Sequence, residues 1–147
     1  MHSHGSYSRR KHPTGSEIIS IPRYRDPPVG RTASVLPDGC LPYRPVQAER
    51  LQTHFDHCSG AHQGLDPPAN VVEAGCLRRA WLVLGSRQKL LRSAFGQLVD
   101  ACHSSVEEFW CQIRRARSTI PEILTFLFET HQISLFGDYV CSRDWRK

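Results

Sequence analysis

Three times in the second half of the chain, a residue suited to cap a helix stands three positions ahead of a glutamate: Asn70-Val-Val-Glu73, Ser105-Val-Glu-Glu108 and Thr119-Ile-Pro-Glu122. The cap side chain accepts from a backbone N–H of the first turn, and the glutamate reaches back toward the N–H groups before it. Each pair thereby satisfies donors that a helix start leaves open. All three stand just ahead of an apolar run, so together they predict successive helix starts.

The periodicity that follows places helices over 71–84, 87–102, 106–117 and 120–131. In the second, Leu90, Leu91, Ala94, Phe95, Leu98, Val99 and Cys102 line up as one apolar face. The fourth, IPEILTFLFETH, is apolar on most sides and is expected to be buried. Past Ser134, LFGDYV reads as an apolar tail turning back onto the bundle. A helix beginning at Arg87 would place Arg87 and Lys89 at its positive dipole end, which costs roughly a few tenths of a kcal/mol. A single long rod bent at Gly85-Ser86 removes that conflict and is the preferred reading. An anion held by Arg87 and Lys89 is the alternative. Arg114, Arg115 and Arg117 sit where a helix C-terminus favours cations.

Ahead of residue 70 the composition is different. Nine of the ten prolines fall there, with Ser, Gly, His and Arg around them. Such a stretch has little apolar surface to offset chain entropy, so residues 1–45 are expected to be a disordered tail. Within it, Ile18-Ile19-Ser20-Ile21 is a short apolar patch able to add as a strand. Residues 46–69 read as a short helix over 46–58, with Leu51, Phe55 and Cys58 on one stripe, followed by a linker. The expected fold class is therefore mostly α: a small bundle of about four short helices over 70–137 behind a largely disordered N-terminal half, with 138–147 as a C-terminal tail.

The stretch HFDHCSGAH, residues 54–62, holds the only metal-like grouping. On a helix His54, Cys58 and His62 would share a face, and imidazole and thiolate are good zinc ligands. Gly60 interrupts that spacing before His62. A fourth ligand would have to be Cys40 or Cys76, and no cysteine pair has a zinc-site spacing. Packing beside Leu51 and Phe55 explains Cys58 better, so no metal or other cofactor is expected. His57 and Cys58 are adjacent, so on a helix they diverge by about 100° and do not form a catalytic pair. No phosphate-binding glycine loop, nucleophile elbow or His-Glu-x-x-His motif occurs, and the reading is non-enzymatic.

Two short stretches have the look of partner-binding motifs. Leu98-Val-Asp-Ala-Cys102-His-Ser-Ser-Val106 resembles the elongin-binding box of cullin-ligase substrate receptors, although Gln97 departs from its pattern. Leu124-Thr-Phe-Leu127-Phe128 resembles a coactivator-type groove-binding helix. Helix core explains both more economically.

The net charge is +5, and arginine outnumbers lysine sixteen to three. The charge forms no long run, so it favours anionic partners only weakly. No secretory h-region or membrane-length apolar run is present, so an intracellular location, outside any membrane, is expected. A bundle of this size has a marginal core and gains from burial against a partner. The leading expectation is an adaptor or regulator that binds a protein through a helical surface. The alternatives are nucleic-acid binding through diffuse arginines, with Arg87, Lys89, Arg114, Arg115 and Arg117 as candidate nucleic-acid or anion contacts; a small zinc module on residues 54–62; and a recently arisen or spliced reading frame with no settled function.

Overall fold

A computed structural model describes residues 2–11, 15–28, 30–37, 39–41, 44–61, 64, 67–99 and 105–137. Its N-terminal part overturns the expectation of disorder. Strands β1 (His2–Arg10), β2 (Ile18–Asp26) and β3 (Arg31–Ser34) form an antiparallel sheet in the order β1-β2-β3. A second ribbon pairs β4 (Cys40–Leu41) with β5 (Arg44–Gln47). The fold class is therefore mixed α/β rather than mostly α. Polar composition did not prevent strand formation, because a ladder satisfies backbone groups whatever the side chains. Among the described side chains of the larger sheet Ile21 is fully buried, and it comes from the apolar patch at 18–21. Pro22 is tolerated in the central strand. Its carbonyl accepts from Val35 N at 3.1 Å, so its missing N–H points to the same side, just past the last β2–β3 pair.

Among the described residues four helices follow: α1 (Ala48–Cys58), α2 (Val71–Phe95), α3 (Val106–Ala116) and α4 (Ile120–His131). α1 begins two residues later than its pattern suggested, because Arg44–Gln47 is used as a strand and Ala48 N donates to Gly39 O. Gly60, at φ +75°, ends it in a conformation that costs glycine nothing. All three cap residues accept from the N–H of the glutamate three positions on. Only at Ser105 is the exchange reciprocal with the cap's own N–H. Glu73 and Glu122 reach one residue further back, to Ala69 N and Ser118 N.

The helices read at 71–84 and 87–102 form one 25-residue helix, α2, as the single-rod reading has it, with Gly85-Ser86 inside it; it stops at Phe95 and not at residue 102. Gly96 takes φ +54° and a 3-10 turn, Gly96–Leu98, follows. The inward face runs Glu73, Cys76, Leu77, Ala80, Leu84, Leu91 and Phe95. That continuous register corrects the predicted second stripe. Leu91 and Phe95 face the core, while Leu90 lies about 100° around the helix and Leu98 falls beyond its end. Both are exposed.

The core joins the β4–β5 ribbon and α1 to the later helices. Leu41, Val46, Leu51 and Phe55 form one cluster with residues of α2, α3, α4 and the tail pair Leu135 and Phe136. Phe55 is its hub: its ring meets Trp81 at 5.1 Å, Trp110 at 5.0 Å and Phe136 at 6.2 Å, all edge-on. The larger sheet is tied to this body where Arg9 Nη1 donates to Leu41 O at 3.1 Å. No described helix is long and apolar enough to cross a membrane.

Candidate functional site

The last two turns of α1 bring His54 and Cys58 together, as their spacing of four requires. His54 Nε2 and Cys58 Sγ are 3.6 Å apart. Two ligands of one tetrahedral ion would stand at about that separation, given metal–nitrogen and metal–sulfur bonds of about 2.0 and 2.3 Å. A third ligand does not join them. Among the described residues no group of three or more His, Cys, Asp or Glu side chains is arranged to hold a metal ion. Cys76 is buried on α2, Cys40 lies in β4, and His62 is outside the described residues.

The protonation of the thiol also works against metal or nucleophile chemistry. Burial lowers the His54 pKa, and the electrostatic influence of Arg50 and then of His57 acts in the same direction. Burial raises the Cys58 thiol, and the Glu107 carboxylate adds to it. The raised thiol pKa disfavours the thiolate that a metal or an electrophile needs, while the lowered imidazole pKa favours its neutral form. His54 Nδ1 is buried with no hydrogen-bond partner among the described residues.

The five candidate anion-binding cations do not converge. Arg87 and Lys89 lie within α2 rather than at a helix start, so the dipole conflict disappears. Arg114 is committed internally: its Nε donates to Asp56 Oδ1 at 3.0 Å and its Nη2 to Oδ2 at 3.3 Å. Trp110 Nε1 donates to the same Oδ1 at 2.7 Å, so Asp56 ties α1 to α3. Arg117 stacks 4.7 Å over the Phe126 ring. Arg115 alone of the three is exposed.

A second buried pair escaped sequence reasoning. Glu73 is almost fully enclosed, and Arg50 Nε donates to its Oε1 at 2.8 Å while Ala69 N donates to Oε2 at 2.7 Å. These contacts pin the start of α2 against α1. The capping pattern located Glu73, but nothing local pointed to a partner 23 residues away.

The two motif-like stretches are absorbed differently. Leu98 ends the 3-10 turn after α2 and Val99 is extended, so the described part of the stretch is not helical; residues 100–104 lie outside those described. In α4, Leu127 is buried and Leu124 and Phe126 pack against the core, which leaves no open groove-binding face there.

The exposed side of α2 is the feature that packing leaves unexplained. Val71 is 88 % exposed, Val72 59 %, Leu82 63 % and Leu90 45 %. At 3.6 residues per turn, Val71, Arg78, Leu82 and Lys89 form one row, with Val72, Arg79 and Leu90 beside it. All three of these cations are exposed and make no ion pair among the described residues. α2 carries five basic residues and a single acid, Glu73, which faces inward. Its outer side therefore presents apolar and cationic groups with no carboxylate of its own. The chain matches no known protein family, no curated protein and no solved structure.

Proposed function

We propose that the protein is a non-enzymatic binding protein, an adaptor or regulator, that docks a partner protein along the outer face of α2. The observation that carries this reading is the run of exposed Val71, Val72, Leu82 and Leu90 on one side of a helix whose other side is anchored in the core. Single exposed apolar residues are ordinary, but several along one rigid face resemble the anchors of helical interfaces. The face is built on the longest element of the fold, so it enters a complex without being ordered first, which lowers the cost of binding. By contrast, the arginines favoured by a nucleic-acid reading are dispersed, and Arg114 and Arg117 are held in internal contacts.

Site-specific photocrosslinking tests the proposal. A photoreactive residue at Leu82, in cells that make the protein, is expected to yield a discrete protein adduct, while the same residue at the exposed Glu17 does not. Equal labelling at both positions, or an adduct with nucleic acid, would remove this reading.

A further inference from the structure

The chemistry of the partner follows from the charge of the face, and this step rests on the docking reading above. We propose that the outer side of α2 receives an amphipathic helix whose apolar stripe is flanked by aspartate and glutamate. Arg78, Arg79 and Lys89 are interleaved with Leu82 and Leu90, so a segment that buries the leucines must also meet those cations. Acidic flanks would satisfy them; basic or neutral flanks would leave them desolvated without a partner, which is costly.

The same argument disfavours a second copy of this chain. Two α2 faces laid together have no carboxylate to offer these cations: a parallel pair sets like charges against each other, and an antiparallel pair sets Arg79 against Leu82 and Lys89 against Val72. Phosphate backbones would match the cations but would leave Val71, Leu82 and Leu90 in water. The length of the face also selects a helix. Val71 and Leu90 stand roughly 28 Å apart at 1.5 Å per residue. A straight partner helix of about 20 residues spans that distance and presents side chains to one side throughout. Electrostatic attraction alone is not the claim: the apolar anchors give the acidic helix an advantage over an acidic chain without a stripe.

Fluorescence anisotropy with the full-length protein and three labelled peptides tests this. The probes are a 24-residue amphipathic helix with leucine on one stripe and glutamate beside it, its counterpart with lysine for glutamate, and a scrambled acidic peptide of the same composition. The acidic helix is expected to bind at least tenfold more tightly than either control. Leu82→Ser should weaken it about tenfold with helicity and melting temperature unchanged. Reversing charge with Arg78→Glu, Arg79→Glu and Lys89→Glu together should shift preference to the lysine peptide. Equal binding of the scrambled peptide, indifference to Leu82→Ser, or a self-association lost on Leu82→Ser in sedimentation velocity would each overturn the proposal. So would binding of a duplex RNA or of phosphatidylserine vesicles that Leu82→Ser abolishes. If Leu82 crosslinks a protein in cells while the acidic helix fails to bind, the partner chemistry is wrong and the docking face stands. If the crosslink is also absent, the docking reading itself fails.

Discussion

Replacing Phe55 by alanine removes the ring on which four separate segments meet. Phe55 is fully buried in α1, and Trp81 of α2, Trp110 of α3 and Phe136 of the C-terminal tail all approach its ring. Truncating a buried phenylalanine costs about 3–5 kcal/mol through lost transfer energy and the cavity left behind. The two edge-on contacts near 5 Å, with Trp81 and Trp110, favour the upper part of that range, since such pairs contribute about 0.5–1.5 kcal/mol beyond area. Trp110 is itself held by its bond to Asp56, which limits collapse into the space. A loss of about 4–5 kcal/mol is therefore expected, a large part of the 5–15 kcal/mol typical of a whole protein. It corresponds to a fall in melting temperature of about 8–20 °C for a chain of this size. Urea unfolding followed by circular dichroism and by tryptophan fluorescence measures it, with Phe55→Leu as a milder control. A loss below about 1 kcal/mol would refute the reasoning. It would mean that α2, α3 and α4 hold together without α1, and that residues 70–137 are the folding unit.

Four further outcomes are expected. Glu73→Ala leaves the Arg50 guanidinium and Ala69 N without their buried acceptor and should cost about 3–5 kcal/mol in denaturant unfolding, whereas a change within about 0.5 kcal/mol would contradict the pairing. Ser105→Ala removes a reciprocal cap and should cost about 1 kcal/mol, read from the same curves. Because His54 has a lowered pKa in the folded state, the unfolded chain takes up its proton first as pH falls through about 6.5. That part of the stability is complete above this pH and is lost toward the folded pKa. His54→Gln should therefore lose less stability than the parent chain between about pH 7.5 and 5.5, and identical slopes would count against the shift. Finally, elemental analysis of untagged protein should find no stoichiometric zinc, and a chelator should leave the melting temperature unchanged. About one zinc per chain, lost together with structure, would make residues 54–62 a metal centre after all.

Local signals carried the helical half. The pairs beginning at Asn70, Ser105 and Thr119 each mark a helix start, because capping is a transaction between a side chain and backbone groups three residues away. The stripe of Leu51 and Phe55 gave the inward face of α1, and the spacing of His54 and Cys58 gave their contact. The N-terminal sheet was not legible in the same way. Its strands hold side chains such as Ser6, Ser8 and Arg10, and what orders them is a ladder between residues 2–10 and 18–26. Only Ile18-Ile19-Ser20-Ile21 hinted at it. The outer face of α2 was misread at Leu90, because an apolar residue on a helix looks the same in sequence whether it meets a core or solvent.

The chain by itself determined where backbone donors are capped, that Gly60 ends α1, and which stripe of the short α1 is apolar. These depend on residues within one or two turns of each other. Tertiary structure alone decided that Glu73 pairs with Arg50, that Asp56 holds both Trp110 and Arg114, and that Leu82 and Leu90 remain uncovered. Each of those outcomes requires segments distant in sequence to be brought into one frame. Burial and charge pairing belong to that frame, because the cost of an exposed leucine or an enclosed carboxylate is set by whatever the rest of the fold places against it.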